Sequence, residues 1–229
     1  AWVMDLTNQA RVESGLNGDP VQGAKALLES GLLERYREEV LNRPKAHRGT
    51  THLSVIDKAG NAASLTVSNG EGSGYIAPGT GVVFNNMLGE DDINPLGLQQ
   101  WPINTRMSSM MSPSIFERED GLCVALGSGG SNRIRTAVLQ VLLAMLEFGV
   151  PVEEAVALPR LHYEGGVLHV EPDFGEGVIE QLAGAFDAIH RWDAHNLFFG
   201  GVHAVQFNRS KGALSGGGDP RRGGVALVV

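Results

Sequence analysis

A threonine hydroxyl can break an amide bond only with a base beside it and a place for the negative charge that develops. Residues of suitable type fall in three stretches. Gly49-Thr50-Thr51-His52 puts two hydroxyls and an imidazole at the start of an alternating run. Ser108-Ser109-Met110-Met111-Ser112-Pro113 offers paired hydroxyls at the end of a long aperiodic segment, suited to a carboxylate. Gly127-Ser128-Gly129-Gly130-Ser131 precedes an apolar run, and its backbone N–H groups could form a nest for an anion or an oxyanion. Each stretch also has an ordinary reading: strand threonines, a serine turn, a glycine turn. His47 and His52 invite a histidine triad or a metal site, but no Asp/Glu/His set at ligand spacing surrounds them. His52 reads as a structural strand residue, and Cys123, in an apolar strand, as buried and inert.

Elements must hold these groups in place. Residues 51–56 and 62–68 both alternate, and Asp57-Lys58-Ala59-Gly60-Asn61 between them predicts a β-hairpin. Residues 23–42 set Ala24, Leu27, Leu28, Leu32, Tyr36 and Val40 on one helical face closed by Pro44, and 43–48 is a basic connector. After a glycine-rich loop a short strand is expected at 81–84. Residues 85–107 lose periodicity, as functional or mobile loops do. Further on the pattern predicts a buried strand at 122–126, a buried helix at 134–148 and a short amphipathic helix at 152–158. A strand at 166–170, a helix at 175–189 and strands at 202–207 and 225–229 complete it. Helices around hairpin-linked strands make an α+β fold of antiparallel sheets, not a doubly wound parallel sheet.

Composition narrows the function classes. A net charge of -8 with no basic block argues against a nucleic-acid surface; Arg221-Arg222 is too small a patch. With one cysteine no intrachain disulfide can form. The longest apolar run, 137–146, is too short to span a bilayer. The 31 glycines cluster without a period, which excludes collagen and repeat arrays and marks tight turns and close backbone approaches. Gly127–Ser131 lacks the Gly-Lys-Ser/Thr ending of a nucleotide-binding loop. The sequence opens Ala1-Trp2-Val3-Met4-Asp5, with neither an initiator methionine nor a signal pattern, and so reads as a processed or partial chain.

Taken in order, the motifs resemble the small subunit of the γ-glutamyltransferases. Thr50-Thr51-His52 opens a hairpin that turns at Ala59-Gly60-Asn61, and Thr66-Val67-Ser68-Asn69 leads into the glycine-rich loop. Gly81, Asn85-Asn86, Asp91-Asp92, Ser108-Ser109-Met110 with Ser112-Pro113, Gly130-Ser131-Asn132-Arg133-Ile134 and Asp219-Pro220-Arg221 follow. The resemblance covers 50–229 as a small-subunit-like catalytic domain, while 1–49, with Gly18-Asp19-Pro20, looks like the last part of a large subunit.

The resemblance implies an N-terminal-nucleophile hydrolase fold, a four-layer αββα sandwich of two antiparallel sheets between helices. It implies self-cleavage between Gly49 and Thr50, which frees Thr50 as the nucleophile. The chemistry explains the need: an α-amine of pKa about 7.7–8.0 can serve as the base, whereas an amide nitrogen cannot. Ser68 matches a hydroxyl that touches the nucleophile. Asn69 and Asp92, or Asp91, match the residues that hold the substrate's α-amine, and Ser108 and Ser109 those on its α-carboxylate. The oxyanion hole falls on the backbone N–H groups of Gly130 and Ser131, or one residue earlier on Gly129 and Gly130. Met87 stands where the family usually has Gln or Glu, and the large-subunit arginine for the carboxylate has no counterpart here. Arg106 is a candidate substitute that also reads as a surface residue.

The implied activity is cleavage of γ-glutamyl amides such as glutathione, with transfer to water or an amine. An acylase acting on another side-chain amide, like the cephalosporin-acylase relatives, and an unprocessed or truncated non-catalytic member are the alternatives. No cofactor or metal is implied. The expected partners are a small amide substrate and the remainder of a large subunit; a homo-oligomer is left open, with no nucleic acid and no membrane span. Compartment is unassigned, although the family is often periplasmic or extracellular.

Overall fold

In the computed structural model a single aspartate builds the turn on which the first hairpin depends. The Asp57 carboxylate accepts from the backbone N–H of Ala59 and of Asn61, both at 2.9 Å, and from the Asn61 side chain at 2.8 Å. Gly60 completes the turn at φ +85°, a value that favours glycine. Strands β1 (Thr50–Ile56) and β2 (Ala62–Ser68) then pair antiparallel, with Ile56 opposite Ala62 at the turn and Thr50 opposite Ser68 at the far end.

A second sheet has the order β3-β4-β8-β9, formed by Ser114–Glu117, Leu122–Gly129, Gly201–Asn208 and Ala213–Gly217, all antiparallel. Strand β4 is buried from Cys123 to Gly129 because both of its faces are covered. Val124 and Leu126 face helix α2 (Arg133–Leu146) and short α3 (Val152–Ala155), in a core with Ile134, Val138, Val141, Val152 and Val202. Each such side chain contributes roughly 1.5–3 kcal/mol of burial. On the other face Gly127 and Gly129 meet the hairpin: a Cβ on Gly127 would lie 2.3 Å from the His52 ring. The Ser64 hydroxyl donates to the Leu126 carbonyl at 3.0 Å, a further tie between hairpin and sheet.

The hairpin's polarity is inverted. Its sheet-facing residues include His52, Ser54, Ser64, Thr66 and Ser68, whereas Leu53, Val55, Leu65 and Val67 stand 52–59 % exposed on the opposite side. A third sheet joins β5 (Leu161–Glu164), β6 (Val167–Val170) and β7 (Ile189–Arg191), the β6–β7 pair being parallel. Helix α4 (Glu176–Ala183) covers it through Ile179.

The structure describes residues 10, 12–15, 20–27, 31, 34–35, 49–90, 93–94, 96–97 and 100–229. Two units emerge, Ala1–Gly49 with Asn69–Asn86, and Thr50–Ser68 with Met87–Val229. Of the helix expected at 23–42, α1 (Pro20–Leu27) and residues 31 and 34–35 are described; the rest lies outside the described residues. The α+β class with antiparallel sheets is as expected. Four local expectations are corrected. Residues 81–84 form a single bridge, Ile76 to Val83, not a strand. The glycine stretch is not all loop, since β4 runs on to Gly129. The helix expected at 175–189 stops at Ala183, and Ile189 begins a strand. Residues 225–229 are not a strand: Val225, Leu227, Val228 and Val229 are exposed and pair with nothing in a sheet. Among the described residues no helix is long and apolar enough to cross a membrane, and no His/Cys/Asp/Glu group could hold a metal.

Candidate active site

Antiparallel pairing makes a hydroxyl pair out of two sequence-distant residues. Because Thr50 is the first residue of β1 and Ser68 the last of β2, the register sets them opposite each other, on the same face. Their hydroxyls lie 2.8 Å apart, hydrogen-bonded, with Thr50 half-buried. A threonine oxygen so held has one rotamer fixed and a neighbour able to donate to it as charge develops.

The end of β4 supports this corner from below. A Cβ on Gly129 would sit 2.8 Å from the Thr50 carbonyl oxygen, so only glycine permits the approach. Arg222 completes it: its Nη1 donates to that same carbonyl at 3.0 Å. The arginine stem lies over Gly201, where a Cβ would come within 2.4 Å of it, and its guanidinium over Gly129. Ser128, fully buried, accepts from the Gly201 N–H at 3.0 Å and donates to the Gly129 carbonyl at 2.8 Å, which locks the ends of β4 and β8 together.

Beyond Gly129 the chain turns sharply. Gly130 has φ +138° and Ser131 φ +53°, and their carbonyls accept from Arg133 and Ile134 as α2 begins. Gly130 also lies against Gly200, whose Cα would be 2.8 Å from an added Cβ. A turn at the N-terminus of a 14-residue helix carries partial positive charge, which suits a developing oxyanion.

Arg222 is aimed by a buried ion cluster. Asp219 accepts from the N–H groups of Val202 and Arg221, both at 2.9 Å, and pairs with Arg160 at 2.6 Å and Arg221 at 3.2 Å. Arg221 forks onto Glu171 at 2.7 and 2.5 Å. Two guanidiniums thus face two carboxylates, with Val156, Leu158 and Phe199 carbonyls taking the remaining donors they reach. The 3-10 turn Pro220–Arg222 sends Arg221 into this cluster and Arg222 out toward Thr50.

Burial disfavours the charged form of the imidazoles nearby. Burial, with a smaller contribution from His203, pushes the His52 pKa down to about 4. Its ring nitrogens share hydrogen bonds with Thr66 at 2.8 Å and Ser54 at 2.7 Å, so its place is structural, as expected. His203 is also lowered, chiefly by burial, and its Nδ1 accepts from the Asp219 N–H at 3.2 Å. Burial raises the Cys123 thiol.

The structure joins some of the expected site residues, and others make local bonds. Thr50 and Ser68 touch; Gly130 and Ser131 form the turn after Gly129. The Ser108 hydroxyl donates to the Ile93 carbonyl at 2.8 Å, and that of Ser109 accepts from the Met111 N–H at 3.1 Å, local bonds that do not reach β1. Arg106 is exposed. In the other unit, the Gly49 carbonyl accepts from the Asn69 N–H at 3.1 Å. Asp91, Asp92 and His47 lie outside the described residues. Arg222 was not foreseen as a site residue; its signal was the tandem arginine directly after Asp219-Pro220.

The family described as Gamma-glutamyltranspeptidase matches residues 16–229. The Glutathione hydrolase proenzyme of Bacillus subtilis (strain 168) is 29 % identical over 204 residues, covering 85 % of this chain and 33 % of that protein. The Acylase ACY 1 proenzyme of Pseudomonas sp. (strain V22) is 31 % identical over 182 residues, covering 79 % and 32 %. A solved structure, Gamma-glutamyltranspeptidase from Pseudomonas nitroreducens complexed with L-DON, superposes with a TM-score of 0.65 at 31 % identity. That match covers 78 % of this chain and 99 % of the other. The chain spans about a third of the length of these curated relatives.

Proposed function

This chain belongs to the gamma-glutamyltranspeptidase family, and from that premise we propose that it carries the catalytic half of a self-processing threonine amidohydrolase. The activity proposed is cleavage of γ-glutamyl amides such as glutathione, with the γ-glutamyl group passed to water or an amine. The observation that carries this reading is the Thr50–Ser68 hydroxyl pair, 2.8 Å apart, at the end of β1 that follows Gly49.

In the first step the Thr50 hydroxyl attacks the Gly49 carbonyl, the peptide nitrogen leaves, and an ester forms on Oγ1. The departing nitrogen takes the hydroxyl proton and becomes the Thr50 α-amine; water then hydrolyses the ester, releasing the Gly49 carboxylate and restoring the Oγ1 hydroxyl. In turnover that amine takes the Oγ1 proton, Oγ1 attacks the γ-carbonyl, and the oxyanion is met by backbone N–H groups at Gly130 and Ser131. The proton passes to the departing amine, and water or an acceptor amine then cleaves the γ-glutamyl ester. Asn69 with Asp92 or Asp91 would hold the substrate's α-amine, and Ser108 and Ser109 its carboxylate. The division into 1–49, the end of a large-subunit-like segment, and 50–229, the small-subunit-like domain, belongs to the same proposal.

The partner proposed is the remainder of a large subunit. Its support is twofold: relatives about two and a half times as long, and the hairpin face on which Leu53, Val55, Leu65 and Val67 stand exposed together, the kind of apolar patch that marks an interaction surface. A second reading replaces the glutamyl group by another acyl group. Met87, half-buried where a polar residue is expected near the substrate amine, and the acylase of Pseudomonas sp. (strain V22) among the relatives favour it.

Two measurements test the proposal. Intact mass should resolve fragments divided at Gly49–Thr50, and Thr50→Ala should stay whole; a chain that never divides refutes self-processing. Turnover of γ-glutamyl-p-nitroanilide against a glutaryl amide separates the acyl groups. No release from the first with rapid release from the second would sink the glutamyl reading in favour of the acylase one.

A further inference from the structure

The fold and the chemistry so far leave one charged contact unexplained. Arg222 carries a desolvated cation whose Nε is buried without a hydrogen-bond partner, an arrangement that costs stability. Two glycines, Gly129 and Gly201, make room for it, and its Nη1 grips the Thr50 carbonyl at 3.0 Å. That oxygen is three bonds from the Thr50 nitrogen, so the guanidinium lies within about 7 Å of the nitrogen whatever the torsion between them.

We propose that Arg222 is a positioning residue for the threonine: it fixes the Thr50 backbone and, by its charge, keeps the freed α-amine unprotonated and therefore basic. The inference rests on Thr50 being the nucleophile. A cation at this range disfavours a second positive charge on the amine, by about one pH unit or more in a partly buried site. The amine then remains a free base into more acidic solution than an isolated one.

The other groups facing this corner do not cancel the effect. On β1 and β8, burial lowers the pKa of His52 and of His203 and so disfavours a charge on either; β2 presents Thr66 and Ser68, and β4 presents Gly127 and Gly129, none of them charged. The nearest carboxylate, Asp219, is taken up by Arg160, Arg221 and the Val202 N–H, and among the described residues no carboxylate forms an ion pair with Arg222. A guanidinium does not lose its own proton even where burial lowers its pKa, as here.

The test is the pH profile of kcat/KM for γ-glutamyl-p-nitroanilide, from about pH 5 to 10, on the whole cleaved protein with its accompanying polypeptide. Arg222→Gln should move the acidic limb up by about one pH unit while the alkaline plateau falls only a few-fold, and Arg222→Lys should restore the limb. Arg222→Met keeps the stem over the two glycines and gives the same reading if the Gln variant does not fold. A cleaved Gln or Met variant whose limb stays at the wild-type pH overturns the proposal and leaves Thr50 as nucleophile. An equal loss at every pH, not rescued by Lys, overturns it too, by making Arg222 merely structural. Full turnover by Thr50→Ala would overturn both readings together.

Discussion

Adding one methyl group at Gly129 should injure both stability and catalysis, and the amounts follow from the packing. Gly129 does not have a positive φ, so alanine fits its backbone and the cost is purely steric. The new Cβ would lie 2.8 Å from the Thr50 carbonyl oxygen, 2.9 Å from the Arg222 Cζ and 3.0 Å from its Nη1, where ordinary contact begins at 3.4 Å. The first neighbour is backbone in a paired strand and cannot swing aside. Overpacking of this kind costs about 1–3 kcal/mol, and losing the guanidinium–carbonyl bond about 1.5–3 more. Gly129→Ala is therefore expected to lose about 3–5 kcal/mol of a total stability of roughly 5–15. Displacing Thr50 by several tenths of an ångström should also lower kcat by tenfold or more, since misplacement of a reacting group by 1 Å costs roughly a hundredfold. Urea unfolding and steady-state turnover measure the two effects. Gly177→Ala, in α4 with nothing within 4 Å of its added carbon, is the control and should be neutral or slightly stabilising. A Gly129→Ala protein within about 0.5 kcal/mol of wild type and fully active would refute the claim that β1 is pressed onto β4 at Thr50.

Other expectations can be checked the same way. Asp219→Asn removes the carboxylate between two buried guanidiniums and should cost about 3–5 kcal/mol in urea unfolding, more than any surface carboxylate. His52 should make stability depend on pH. Its folded pKa of about 4 lies below the unfolded 6.5, so the unfolded chain takes up the proton first. Stability should then fall, by on the order of 2–3 kcal/mol, as pH drops from 6.5 through 4, and stay flat above. His52→Gln should flatten that slope in unfolding curves taken across the window. Ser68→Ala, read by turnover of the cleaved protein, should lower kcat more than it raises KM, by roughly tenfold to a hundredfold.

Long or well-bounded patterns were legible in the sequence. The hairpin showed through its alternation and the Asp57 turn, and β4 and α2 through apolar runs bounded by glycines. Because the hairpin was readable, the pairing of its two ends at Thr50 and Ser68 was within reach. Strands β3 and β5, four residues each, were missed, since two alternations carry almost no periodic signal and His162 and Glu164 do not look like strand residues. Residues 225–229 erred the other way: β-branched side chains favour a strand only where a neighbour pairs with it. The inverted hairpin also defeats alternation, which says that two faces differ but not which one the sheet will cover. The tandem arginine marked the position of Arg222 but not its role, because its partner at Thr50 lies 172 positions away.

That separation has a bearing on the order of events during synthesis. The hairpin that bears Thr50 is local and can form within microseconds of being made. The corner it must occupy needs β4, β8 and finally the Pro220–Arg222 turn, the last of which emerges from the ribosome some tens of seconds after Thr50 at ordinary translation speeds. A self-cleaving threonine that acted earlier would sever a nascent chain before its sheets had closed. If Thr50 cleaves as proposed, it acquires its final geometry only once Arg222, 172 positions further on, has been made and folded against its carbonyl, and the cut waits until then.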